Sequence, residues 1–260
     1  MRIYVLPPDY KGSEHYTVKG KDVHYLTKVL RLREKSHFTG RDSFGTLWDL
    51  TMESISKQAC LLTCKKHIDK PSTTTDTLPE FRGPFPEIHL YQSICKGKKM
   101  DQIIRQATEL GVQRIIPVQS QFSVVDLTGK EDERTLRYEA IVKEAIQQSG
   151  SPVMTHISPP ITCKDIAEDW NHRGTACVLH QVAIEQQQDL FTILKKHCTH
   201  TPEKPFGLVI GPEGGFSDDE VASLIHAGVY PILLKTNILR AETAAIASLA
   251  IVQHYLVDSL

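Results

Sequence analysis

Residues 207–220 read GLVIGPEGGFSDDE, and the fold turns on what this stretch is. An apolar strand at 207–210 empties into a loop with glycines at 211, 214 and 215. Ser217 suits a helix N-cap, and Glu220, three residues on, completes a capping box, so a helix should begin at about Asp218. Strand, glycine loop and helix N-terminus in that order form the usual cradle for a phosphate. Here Pro212 removes one of the amides such a cradle uses. Glu213, Asp218 and Asp219 add three carboxylates, which repel a phosphate. The glycines still let backbone approach a ligand closely. A tight strand–helix turn without any ligand is the competing reading of the loop.

The same rhythm repeats on both sides. A strand at Glu87–Ser93 leads to a helix at about Lys99–Leu110, with Met100, Ile103, Ile104 and Ala107 on one face and Gly111 at its end. A strand at Val112–Val118 and a long helix at about Glu131–Gln148 follow. Further strands read at Ala176–His180, Gly207–Ile210 and Pro231–Lys235. This alternation predicts an α/β fold with a parallel sheet covered on both faces. In such sheets ligands sit beyond the carboxyl ends of strands, where the 211–215 loop lies. The segment LLKTNILRAETAAIAS (233–248) adds a strand, an irregular turn and an alanine-rich helix. Small residues at that helix start allow close packing on a loop or a ligand. S-adenosylmethionine, with its adenine and its positive sulfonium, suits this acidic, glycine-rich surface.

Residues 1–70 read differently. Short β-branched or alternating runs broken by Gly12, Gly20, Gly40 and Gly45 predict a small antiparallel barrel, with one helical insertion at Asp22–Leu30. This part holds 13 Lys and Arg against 8 Asp and Glu, while the whole chain has a net charge of -1. A basic first part facing a polyanion is the functional reading, and a chance surface excess the plain one. Residues 71–86, with Pro71, Pro79, Pro84, Pro86 and a threonine cluster, read as a linker, leaving 87–260 as the second domain. The 260 residues, 40% hydrophobic and 23% charged, have the composition of a soluble globular protein. No apolar run reaches the length of a membrane span, and the start MRIYVLPPDYKG lacks the pattern of a signal peptide. Cys60 and Cys64 could share a helix face or a strand, and no second pair completes a zinc site. The expectation is a cytoplasmic protein with reduced thiols, no metal and no membrane contact.

IGPEGGFSDDE (210–220) and ILRAETA (238–244) stand in order after KGKKMDQIIRQATELGV (96–112) and EAIQQSG (144–150). With HYLTKVLRLREKS (24–36), they resemble the RsmE family over nearly the whole chain. The resemblance implies a SPOUT-class methyltransferase that uses S-adenosylmethionine to methylate ring nitrogen three of a uridine in small-subunit (16S) ribosomal RNA. It implies a PUA-like RNA-binding β-barrel over 1–70 and a trefoil-knotted SPOUT domain over 87–260. A homodimer acting on ribosomal RNA or the small ribosomal subunit is implied as well. Carried over by motif, the cofactor is held by Leu179 and His180, by Ile210, Gly211, Pro212, Glu213, Gly214 and Gly215, and by Leu234, Asn237, Ile238, Leu239, Thr243 and Ala244. The chain departs from the pattern at Lys35 and Ser36, which stand where Gly-Asp is usual. Lys235 replaces a usual glycine, and Phe122, Ser151 and Asn237 replace usual arginines.

Methylation at a uridine ring nitrogen requires loss of the imide proton and in-line attack on a sulfonium methyl. Glu144 and Glu242 are the candidate bases, and Arg240 the candidate to stabilise the uracil anion. The plainer roles are a surface ion pair for Glu144 and a helix-start acid for Glu242. For RNA, Arg31 and Arg33 share a face if that stretch is extended. Lys96, Lys98 and Lys99 precede a helix, where cations are disfavoured, so a phosphate contact competes with a solvated lysine run offset by Asp101. The rival functions are a SPOUT methyltransferase for another RNA position and a non-catalytic RNA-binding factor with a decayed cofactor site.

Overall fold

The computed structural model describes residues 3–68, 84–125, 129, 131–181 and 184–259. Apart from 84–86, the linker read at 71–86 lies outside the described residues. The chain divides into two compact units, Met1–Phe81 with Ile146–Met154, and Arg82–Ala145 with Thr155–Leu260.

The first unit is a five-stranded sheet. Its strands are β1 (Tyr4–Val5), β2 (His15–Lys19), β3 (His37–Arg41), β4 (Leu47–Ile55) and β5 (Ala59–Lys66), in the order β1-β3-β4-β5-β2. All pairs are antiparallel except β1 with β3. Alternation places Cys60, Leu62 and Cys64 of β5 in one core with Tyr4, Leu26, Leu50 and Met52. The two cysteines therefore share one face of a strand, with Leu62 between them, and burial pushes both thiols up. The expected insertion is real but irregular. A short helix α1 (Lys21–His24) runs on into a π-helical turn at Tyr25–Val29. The stretch after it is not a strand. Arg31 and Lys35 both have left-handed backbone, with φ of 55° and 65°. Arg31 and Arg33 are exposed in this loop, and the shared strand face expected for them does not exist.

The second unit opens with β6 (Ile88–Ser93), α2 (Lys99–Glu109), β7 (Arg114–Gln119) and α3 (Glu131–Ser149), whose last residues belong to the first unit. It continues with β8 (His156–Ile157), β9 (Ile161–Thr162), α4 (Ile166–Trp170), β10 (Thr175–Leu179) and α5 (Leu190–His200). The chain ends with β11 (Phe206–Ile210), α6 (Asp218–His226), β12 (Tyr230–Ile232) and α7 (Ala241–Asp258). The strands lie in the order β12-β10-β11-β6-β7-β8, with β9 also on β7, and every pair is parallel. Every position of β6 is buried, as a central strand with both faces covered requires. One core joins Tyr91, Val178 and Val209 of the sheet to Trp170 of α4 and Val221 and Leu224 of α6. α2 buries Met100, Ile103, Ile104 and Ala107, the face its spacing predicts, and packs on α7, which also meets β11 and α5. β12 stops at Ile232, so the expected strand end at 233–235 is irregular chain. This sheet puts the ends of its neighbours β12, β10 and β11 side by side, and their loops meet there.

Candidate functional site

Those three loops surround a cavity of about 650 Å3. Leu179, His180 and Gln181 come from the end of β10, and 210–216 from the end of β11. After β12 the wall consists of 232–234 and 236–239, closed by Arg240, Ala241 and Ala244 at the start of α7. The volume is that of a site for a small molecule or cofactor. Capping fixes the glycine loop: the Ser217 hydroxyl accepts from the Glu220 amide, and the Glu220 carboxylate accepts from the Ser217 amide. Gly215 has φ of 74°, which glycine adopts without steric cost. Gly214 is packed so closely that a Cβ there would stand 3.0 Å from Cβ of Phe122.

Thirteen of the fourteen residues expected at the cofactor line this cavity, and Thr243 does not. The sequence reading did not assign Gln181, Phe216, Ile232, Leu233 and Thr236 to the wall, and Asp218, noted only as a carboxylate near the loop, also reaches it. Their signal was adjacency, because each continues a loop already singled out at a strand end. The charged groups on the wall are Glu213, Asp218 and Arg240, so no net positive charge awaits a phosphate. Burial holds His180 below the ordinary histidine range, with Asp218 opposing, so its ring is neutral at pH 7.

Behind the glycine loop stands a cluster that sequence alone did not join. Lys99 Nζ lies 2.9 Å from Glu213 Oε1 and 3.6 Å from Glu242 Oε2. The Lys96 amide donates to Glu213 Oε1 as well. Burial pushes the Glu213 carboxyl up, but the Lys99 ammonium and the amide donors outweigh it and leave it below the ordinary range. The Lys99 ammonium is raised by the same bond. Lys99 is thus an ion-pair centre, a different placement from the free phosphate ligand expected of it.

The other candidates separate. Arg240 lines the cavity, exposed, at the N-cap of α7. Glu242 is not on the wall, since its carboxylate turns to Lys99. Glu144 is exposed on α3 and faces Arg105 at 3.9 Å, the surface pairing that was its plainer reading. Lys96 and Lys98 are exposed in the β6–α2 loop. Among the described residues no group of three or more His, Cys, Asp or Glu stands together as for a metal ion, and no helix is long and apolar enough to cross a membrane.

The family described as RNA methyltransferase domain matches residues 82–253. The Ribosomal RNA small subunit methyltransferase E of Aquifex aeolicus (strain VF5) is 28% identical over 87% of this chain and 94% of that protein. That of Mesomycoplasma hyopneumoniae (strain 232) is 31% identical over 67% of this chain and 74% of its own length. A crystal structure of a Ribosomal RNA small subunit methyltransferase E from Neisseria gonorrhoeae, bound to S-adenosyl methionine, is similar with a TM-score of 0.80. Its identity is 26%, and the match covers 98% of this chain and 97% of that one.

Proposed function

The chain belongs to the RNA methyltransferase domain family, and from that premise we propose that it methylates ring nitrogen three of a uridine in small-subunit ribosomal RNA, with S-adenosylmethionine as donor. One observation carries the reading: backbone from three adjacent strand ends encloses a cavity of about 650 Å3 whose wall has two carboxylates and one guanidinium. That wall suits a cation with an apolar base and disfavours a phosphate. S-adenosylmethionine supplies an electrophilic methyl on a sulfonium when bound. Leu179, Ile210, Ile232 and Leu234 offer apolar surface, while the loop at Gly211–Gly215 lets main chain approach closely.

The chain's own part is alignment and charge. The uridine imide must lose its proton, and negative charge spreads over the ring as it does. Arg240, at the cavity edge, is the group we assign to that charge. Neither Glu144 nor Glu242 stands on the wall, so neither is assigned as the base in this reading. The target base must leave its stack, or come from a single-stranded loop, to reach the cavity.

The finer architecture follows the same reading: a PUA-like barrel in the first unit, a knotted SPOUT domain in the second, and a homodimer. The dimer is supported by α7, where Ile246, Ala247, Ile251 and Tyr255 are only partly buried although the helix is apolar nearly all round. The test is nucleoside mass mapping of small-subunit ribosomal RNA from cells with and without the protein, repeated with purified protein and cofactor. Loss of one N3-methyluridine, restored in vitro, is expected. Loss of a methyl group elsewhere would move the target, and no change would remove the activity.

A further inference from the structure

The loop between β6 and α2, which holds Glu213 through Lys96 and Lys99, also walls a second cavity of about 280 Å3. Part of its wall is apolar, with Ile94 and Met100. Four charged residues reach it: Lys98, Asp101, Arg134 and Arg137. Asp101 is the one carboxylate among them, and Arg137 pairs with it. Lys98 and Arg134 have no carboxylate partner among the described residues, so the lining carries two positive charges in excess.

Two further features point the same way. The start of α2 faces this cavity through Gly97, Lys98, Met100 and Asp101, and the helix has no side-chain cap. Among the described residues the amides of Met100 and Asp101 meet no backbone acceptor, and the positive end of the helix dipole adds to them. Tyr138 lines the same cavity and is only 2% exposed, yet its hydroxyl makes no hydrogen bond with any described residue. The ring is buried but the hydroxyl keeps some access to solvent, and the cavity is where an acceptor would come from. Burial raises its pKa, so it remains a donor at neutral pH. Burial also pushes the Cys95 thiol beside it up to about 12, so it stays uncharged.

Donors and cations therefore converge on a space larger than one phosphate, with apolar wall beside it. We propose that this cavity is a phosphate subsite for the substrate RNA, holding a phosphodiester with its nucleoside against the apolar wall. The inference rests on the RNA methyltransferase reading above. It places the subsite next to the cofactor cavity, because one loop contacts both.

The experiment measures binding of a fluorescent single-stranded fragment of small-subunit ribosomal RNA across a range of salt, with cofactor binding followed by calorimetry. Arg134→Gln should weaken RNA about tenfold and lower the salt slope by about one, as loss of one phosphate contact does. Tyr138→Phe should weaken RNA by about threefold and leave the slope alone, because it removes a neutral donor. Both variants should bind S-adenosylmethionine as the wild type does. Inorganic phosphate and uridine 5′-monophosphate should compete weakly with RNA on the wild type and less on Arg134→Gln. Unchanged RNA affinity and slope in both variants would overturn the subsite, and so would loss of cofactor binding along with RNA. Tight binding of either small competitor in place of RNA would make it a free-nucleotide or phosphate site and overturn the RNA assignment. If the wild type bound cofactor but no RNA fragment, the subsite for free RNA would fall, while the methyltransferase reading would still be decided by the mass mapping above.

Discussion

Lys99 Nζ donates to Glu213 Oε1 at 2.9 Å, across 114 residues of sequence, and so ties the start of α2 to the glycine loop of the cofactor cavity. Both groups are charged over a wide range. The lowered Glu213 carboxyl keeps the bond present above the ordinary glutamate range and loses it as pH falls through the lowered value. The raised Lys99 keeps it present below the ordinary lysine range and loses it only as pH rises past its own raised value. At neutral pH the tie is therefore complete.

Lys99→Met should loosen the loop and weaken S-adenosylmethionine by roughly threefold, the modest scale of a solvent-accessible pair. Lys99→Arg should recover most of it. The salt slope of RNA binding should stay at the wild-type value. A slope reduced by about one, with cofactor affinity intact, would instead make Lys99 a phosphate ligand.

Gly214 and Phe122 make a second testable pair. A Cβ on residue 214 would meet Phe122 Cβ at 3.0 Å, so Gly214→Val must displace the aromatic side chain or the loop. Cofactor binding, measured by calorimetry, should fall sharply in Gly214→Val. Adding Phe122→Gly, which removes that Cβ, should restore part of it. A double variant no better than the single one would show that the obstruction lies in the loop or in the ligand space.

Lys35 adopts φ of 65°, and its amide still donates to the Met52 carbonyl at 2.7 Å. Glycine, the residue that the RsmE resemblance implies at this position, adopts such a backbone without strain. Lys35→Gly should stabilise the protein by about 0.5–1 kcal/mol, because relief of left-handed strain exceeds the added chain entropy. Chemical denaturation gives the answer directly, and a loss of stability would mean that the lysine side chain contributes more than the strain costs.

The extent to which these features could be read in advance follows their range. Local rules fixed the capping box of Ser217 and Glu220 and the buried face of α2, since each involves residues within a turn or two of one another. Local reading marked the glycine loop at the end of β11 and the small residues at the start of α7, while the rest of the cavity wall came from the resemblance to the RsmE family. The backbone at Arg31 and Lys35 was not legible, because nothing in two basic residues announces a left-handed conformation. The partners of Lys99 were not legible either. Periodicity reports which side faces the core, while an ion pair between α2, the 211–215 loop and α7 depends on how distant elements meet. Glu242 shows the cost: it was a candidate base, but two residues past Arg240 the helix start turns its side chain toward Lys99 of α2.

Arg240 supplies the most exacting prediction, because its position is poor for stability. It is the N-cap of α7, has no side-chain capping bond, and places a cation at the positive end of a long helix. A residue chosen for the helix alone would be Ser, Thr, Asp or Asn. Its guanidinium, however, lies on the cavity wall where negative charge would develop on a uracil ring. A donor acting mainly on that charge lowers the barrier without tightening ground-state binding. Arg240→Ser should therefore raise stability by about 0.5–1 kcal/mol through a new cap, yet cut single-turnover methyl transfer by about a hundredfold. Cofactor and RNA affinity should change little. Arg240→Lys should recover only part of the rate, since an ammonium lacks the planar fork. Parallel losses of stability and cofactor binding would assign Arg240 to holding the loop, and an unchanged transfer rate would remove it from the chemistry.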